Sequence, residues 1–137
     1  MMNIVQIGYG YWGANVARNI ALSSKTNLKA LVDTSEDRRQ AARAAFQSQV
    51  EISADYHSYL KDSTVDGFAL AIQTGPAFEV AKQIMSAGKH LFLEKPMAES
   101  GEKAQQLTDL AEEKGVVLHV DHIMLFHPII RRIKRMY

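Results

Sequence analysis

Gly8-Tyr9-Gly10-Tyr11-Trp12-Gly13 follows directly on an apolar run, residues 2 to 7, and opens a stretch with helical spacing from about Ala14 to Leu22. No other feature constrains the chain as much as this G-x-G-x-x-G turn between a strand and a helix. Each glycine meets a separate need. Gly8 permits the tight turn, Gly10 lets a pyrophosphate approach the backbone, and Gly13 lets the helix pack closely on the strand. The helix start then offers unsatisfied N–H groups and a positive dipole end to phosphate. Asp33 ends a second apolar run, Leu28 to Val32, twenty residues past Gly13. A carboxylate at that place can accept hydrogen bonds from the ribose diol of an adenosine. Turn, helix and acid together predict a dinucleotide site that also includes Tyr11, Trp12 and Thr34. An S-adenosylmethionine site would draw on the same features. Asp33 repels a 2′-phosphate and so favours NAD, whereas Arg38 or Arg39 in the following helix keeps NADP possible.

The remaining chain alternates strand and helix. Ser35 is placed to cap a helix through Ala41, Ala42, Ala45 and Phe46. Residues 49 to 65 are expected to hold a short strand and a short helix near Tyr56 to Leu60. Phe68 to Ile72 is uniformly apolar, which suits a parallel strand buried on both faces. A helix from Pro76 to Ala87 stops at Gly88. A strand from His90 to Glu94 precedes Lys95-Pro96, and Ser100 caps a helix that ends near Gly115. Val116 to Val120 reads as a further strand. This alternation predicts an α/β fold, a doubly wound parallel sheet of the Rossmann type with helices on both faces.

Composition narrows the function classes. The 137 residues suffice for one domain. They are 47% hydrophobic and 23% charged, as in ordinary globular chains. Sixteen Lys and Arg against fifteen Asp and Glu leave a net charge of +1, which argues against nucleic acid or a membrane surface as partner. Cysteine is absent, excluding disulfides, thiolate metal sites and cysteine nucleophiles. No apolar run reaches the length of a membrane span, and a cytoplasmic location is expected.

The residues quoted so far, with Ala87-Gly88-Lys89-His90, Glu94-Lys95-Pro96 and Phe126-His127-Pro128, fall in the order of the Gfo/Idh/MocA oxidoreductases, which the chain resembles over essentially its whole length. The resemblance covers the cofactor-binding half of that family. It implies NAD or NADP as cofactor and hydride transfer between nicotinamide and a hydroxyl of a sugar, polyol or nucleotide-sugar. It further implies that Glu94 and Lys95 lie beside the nicotinamide, that the Lys95–Pro96 bond is cis, and that a partly buried Lys95 holds the substrate hydroxyl and assists its deprotonation. Lys95 is thus the candidate catalytic residue. Gln73 and Thr74, in a loop flanking the cofactor, and His122, near the nicotinamide end, are further candidate contacts. The chain departs from the family at Ala77, where histidine is common, at Asp121-His122, where Gly-His is common, and at His127-Pro128, where Asn-Pro is usual.

His119-Val120-Asp121-His122 invites a metal reading, but on a strand 119 and 121 share a face while 122 points away. No metal site is expected, and His119 is expected to be packed. From Pro128 onward a helix with Ile129, Ile130, Ile133, Met136 and Tyr137 on one face, and Arg131, Arg132, Lys134 and Arg135 on the other, is expected to lay its apolar face on the domain. The boundaries so read are a dinucleotide-binding domain over 1–122 and, over 123–137, the start of a link to a second domain. In the family that second domain binds substrate, so the chain is expected to be a fragment. Exposure of Met124, Leu125, Phe126 and the Ile129/Ile133 stripe would then produce a homo-oligomer. A non-catalytic NAD-binding module is the alternative.

Overall fold

A computed structural model of the chain describes residues 1–136. The first apolar run forms β1 (Met2–Ile7), the central strand of a six-stranded sheet. Beside it lie β2 (Thr26–Val32) and β3 (Glu51–Ser53) on one flank. On the other flank lie β4 (Gly67–Leu70), β5 (His90–Leu93) and β6 (Leu118–Val120). All pairings are parallel, in the order β3-β2-β1-β4-β5-β6. The order reverses between β1 and β4, opening a crevice at the carboxyl ends of the strands where such sheets bind ligands.

Among the described residues five α-helices connect the strands, α1 (Tyr11–Leu22), α2 (Glu36–Phe46), α3 (His57–Leu60), α4 (Thr74–Ser86) and α5 (Gly101–Lys114), and α6 (Pro128–Lys134) follows β6. None of the described helices is long and apolar enough to cross a membrane. Two side-chain caps fall where expected. The Ser35 hydroxyl accepts from the Arg38 N–H and the Ser100 hydroxyl from the Lys103 N–H, each satisfying an orphan donor of a first turn. Gly115 adopts the left-handed conformation that ends α5.

Two apolar clusters cover the two faces of the sheet. Val5, Ile7, Phe68, Leu70, Leu91 and Leu93 bury against Ala81, Ile84 and Met85 of α4 and Leu107 of α5. On the opposite face Leu28 and Leu31 meet Ala17 of α1, Ala42 of α2 and Val50. Leu28 and Leu31 are three apart, which strict alternation would send to opposite faces. A bulge resolves this: Ile4 pairs with Leu28 but Val5 with Ala30, so Lys29 is an extra residue that puts both leucines on one side. The Lys29 ammonium then reaches the Asp62 carboxylate at 2.6 Å.

Four expectations need correction. Helix α1 starts at Tyr11, three residues early, because Gly13 is already helical. Ala71 and Ile72 leave the strand and α4 begins at Thr74, the carbonyl of Ala71 lying against the Gly8 turn. Residues 123–126 form a 3-10 turn that no periodicity announced. The fourth correction is larger. Helices α1 and α2 cover only the β1–β3 part of the second face. Over β4–β6 an apolar groove of about 900 Å³ remains open, with Ile4, Ala69, Phe92, Val117 and His119 along it. His119 is therefore exposed rather than packed, its ring stacked on Phe92 with centroids 5.5 Å apart. Helix α6 does not lie on the domain either: Ile129 and Ile133 are 62% and 47% exposed. Its Arg131 instead bonds back to the Leu125 carbonyl at 3.4 Å and sits over the Phe126 ring. Tyr137, counted on its apolar face, lies outside the described residues.

Candidate functional site

The glycine turn sits at the crevice, and its three glycines are held for different reasons. Gly8 has φ of +96°, a region side chains avoid, and a Cβ there would lie 2.3 Å from the Ala71 carbonyl oxygen. A Cβ on Gly13 would lie 2.3 Å from the Gly8 carbonyl oxygen. Gly10 differs from both. Its φ of −75° suits any residue, and the nearest group to a Cβ would be the Arg38 guanidinium at 3.9 Å. Neither conformation nor a protein neighbour requires glycine at position 10, so the space it leaves is open to a ligand. Here α1 begins without a side-chain cap. Among the described residues the N–H groups of Gly10, Tyr11, Trp12 and Gly13 have no acceptor, leaving a set of donors and a positive helix end for an anion.

Beneath the turn lies Gln6, fully buried on β1 between Leu31 and Ala69 of the neighbouring strands. Its amide nitrogen donates to the carbonyls of Gly8 at 2.9 Å and Gly13 at 2.7 Å, while its oxygen, Oε1, is buried with no partner. A lone polar letter in an apolar strand reads as the solvent face of that strand. Nothing in the spacing identifies it as a support for the turn.

Asp33 is 5% exposed at the end of β2. One carboxylate oxygen accepts from the Tyr9 N–H at 2.7 Å and the other from the Ser35 N–H at 2.9 Å. Each oxygen keeps a second lone pair for a ligand hydroxyl. The two candidate arginines divide here. Arg39 donates to the carbonyls of Asp33 and Thr34 and pairs with Glu36, so it closes the β2–α2 turn. Arg38, more than half exposed, lies 3.6 Å from Asp33 and beside Gly10, facing the space that Gly10 leaves open. Thr34 is exposed next to them.

Across the crevice a cavity of about 430 Å³ is lined by Trp12, Ala71, Ile72, Glu94, Lys95 and Ile123. Burial holds the Glu94 carboxyl above its ordinary pKa; the hydrogen-bonded Asp121 carboxyl adds to this, while the Trp12 indole and the Lys95 N–H oppose it. Glu94 Oε1 is buried without a partner, an acceptor facing no protein donor. The Lys95–Pro96 bond is cis. Lys95 is exposed at the cavity, not partly buried as expected. Thr74, half-buried, starts α4, and Gln73 before it is exposed. Tyr11 projects into solvent at 91% exposure. His122 is exposed and lines neither cavity. The structure thus gathers Trp12, Glu94 and Lys95 about one cavity and Gly10, Asp33 and Arg38 about another corner, while His122 and Tyr11 stand apart. In the sequence Asp121 reads as part of the His119-Val120-Asp121-His122 run, and nothing in that spacing points to Glu94. Its pairing with Glu94 depends on β5 and β6 lying side by side.

These features fit a dinucleotide: open space and free N–H donors for phosphates, a buried carboxylate for a ribose, and unpartnered Glu94 beside Lys95 at the other end. Comparison with known proteins agrees. Residues 2–122 match the family model described as the oxidoreductase family with an NAD-binding Rossmann fold, Gfo/Idh/MocA. The chain is 30% identical over 129 residues to a UDP-N-acetylglucosamine 3-dehydrogenase of Acidithiobacillus ferrooxidans, covering 94% of this chain and 39% of the relative. The structure superposes on GenD2 from gentamicin A biosynthesis, solved with NAD, with a TM-score of 0.88 at 25% identity, over 96% of this chain and 37% of that one. It also superposes on biliverdin reductase from Synechocystis, solved with biliverdin and NADP+, with a TM-score of 0.87 at 25% identity, over 98% of this chain and 42% of that one. The chain therefore spans about two fifths of the length of these three proteins.

Proposed function

The chain belongs to the Gfo/Idh/MocA oxidoreductases, and on that premise we propose that it is the dinucleotide-binding part of an NAD(P)-dependent dehydrogenase acting on a hydroxyl of a sugar, polyol or nucleotide-sugar. One observation carries the reading: Gly10 leaves open space beside four unpartnered N–H donors, between Asp33 and the Glu94–Lys95 cavity. In this reading residues 1–122 are the binding domain and 123–137 the start of a link to a second domain. A cytoplasmic setting suits a chain without cysteine.

The N–H groups of residues 10 to 13 hold the pyrophosphate, and Asp33 accepts from the adenosine ribose. Arg38 stands where a 2′-phosphate would extend. Trp12, Glu94, Gln73 and Thr74 bound the nicotinamide end, with Glu94 Oε1 accepting a ligand hydrogen bond. Bound nicotinamide supplies the hydride acceptor or donor. Lys95 orients the substrate hydroxyl and takes up its proton as the carbon is oxidised, or returns it in reduction. Because Lys95 faces water in this chain, the proton-transfer group is not enclosed. The chain alone is therefore expected to bind cofactor without appreciable turnover.

Trp12 lies in the turn itself and reports binding directly. Titrating the chain with NADH and NADPH should quench its fluorescence at micromolar concentrations. No response to either ligand from a chain whose circular dichroism shows it folded would overturn the proposal. Steady hydride transfer from a panel of sugars would overturn the expectation of inactivity.

A further inference from the structure

A fully buried glutamine in a central strand needs a reason. Its register neighbours, Leu31 and Ala69, are apolar and buried, so an aliphatic side chain would satisfy the packing better. The orientation of the amide is fixed by its partners. Both atoms facing it at the turn are carbonyl oxygens, so only the NH₂ group can point there, and Oε1 is left buried and unpartnered. The molecule thus leaves one acceptor unsatisfied in order to tie down Gly8 and Gly13, the two ends of the turn.

We propose that Gln6 is a positioning residue for pyrophosphate: it pulls the carbonyls of Gly8 and Gly13 down onto β1 and so holds the N–H groups of Gly10 to Gly13 toward the crevice. This rests on the dinucleotide reading above. The two carbonyls flank the four free donors. Gly13 sits so close that a Cβ on it would come within 3.3 Å of the Gln6 amide nitrogen, and among the described residues no other side chain bonds to those carbonyls. With the tether removed, the turn keeps its glycines but loses the contact that fixes where its donors lie. The ligand groups that lose affinity are the phosphates, not the adenine or ribose.

Gln6→Met keeps the length and removes both donors. Wild-type and variant chains would be titrated with NADH, ADP and adenosine, with a urea melt for each chain. Affinity for NADH and ADP should fall about tenfold in the variant, the effect of losing well-placed hydrogen bonds to a charged group, while adenosine changes less than twofold. Equal affinity of both chains for NADH, or an equal loss for adenosine, overturns the proposal and leaves a packing role. Wild-type protein gives a second reading that does not depend on the variant folding. In nuclear magnetic resonance the Gln6 side-chain NH₂ protons should exchange more slowly when NADH is bound, relative to the Leu31 amide. Unchanged relative exchange overturns the proposal. A wild-type chain that binds neither NADH nor ADP overturns the dinucleotide reading and this inference together; a binding wild type with an unaffected variant overturns the inference alone.

Discussion

Gly8, Gly10 and Gly13 look alike in the sequence and are not alike in the structure, and substitution should separate them. Alanine at Gly8 or Gly13 forces a Cβ to 2.3 Å from a backbone oxygen. Either change should lower unfolding stability by about 1–3 kcal/mol or more in urea melts. Alanine at Gly10 meets only a guanidinium at 3.9 Å. It should leave stability nearly unchanged and weaken NADH binding about tenfold or more, by blocking hydrogen bonds to a charged phosphate. Arg38 and Arg39 should separate too. Arg38→Ala should weaken NADPH binding about tenfold and leave NADH within about twofold, since a lost charge-assisted bond to the extra phosphate is the only difference. A fall of both affinities together would place Arg38 on the shared part of the ligand. At this scale the spacing of the glycines and of Asp33 was legible because it follows from backbone geometry. Gln6 and Asp121 were not, because their partners are brought to them by the fold: Gln6 by the return of the turn over β1, Asp121 by the pairing of β5 with β6.

Elements were legible where a local signal exists. Ser35, Ser100 and Gly115 each mark a helix end through hydrogen bonds or a left-handed residue within a few positions. The bulge at Lys29 was not legible, since it depends on β1 as template. Nor was the attachment of α3, a single turn that could not persist alone. Tyr59 supplies the attachment: it is 5% exposed and buried in the apolar cluster on the β1/β4/β5 face of the sheet. Burial, reinforced by the Glu51 carboxylate, pushes the phenol up from 10.0 to about 12. The folded chain therefore holds this proton more tightly than the unfolded one. That contribution is complete below pH 10 and is lost as pH rises from 10 toward 12, where the unfolded state binds fewer protons. Unfolding free energy should drop by roughly 2 kcal/mol across this window, measured by urea melts at stepped pH. Tyr59→Phe should flatten most of that slope. Tyr9 and Tyr56, whose phenols burial also raises, should leave a remainder of the same sign.

At the scale of the whole molecule, patterning announced that β4 to β6 are apolar but not what would cover them. Phe68 to Leu70 is buried, yet the second face of these strands carries the small Gly67 and Ala69, then Phe92 and His119, under an open groove rather than a helix. An apolar letter states that a face avoids water; the occupant of that face is written elsewhere in the chain or in another molecule. Next to the groove, Met124, Leu125, Phe126 and Ile129 are 57–62% exposed. Together with Ile133 and Ile123 they make an uncovered apolar surface continuous with the groove, which Ile123 also lines. Such a surface is driven to associate at about 25 cal/mol for each Å² withdrawn from water. The purified chain should therefore show a mass in light scattering that rises with concentration from monomer to dimer or beyond. Replacing Ile129 and Ile133 together by glutamate should shift that curve toward monomer without lowering the unfolding midpoint, because neither side chain is buried in the domain. The same pair of changes should leave NADH titration of Trp12 unaltered, since among the described residues α6 hydrogen-bonds only to the turn before it and the two residues after it. A chain that stays monomeric over a wide concentration range would show that α6 and the groove close on each other within one molecule. The glutamate pair would then lower the unfolding midpoint instead, so the two measurements together tell association between copies from folding back.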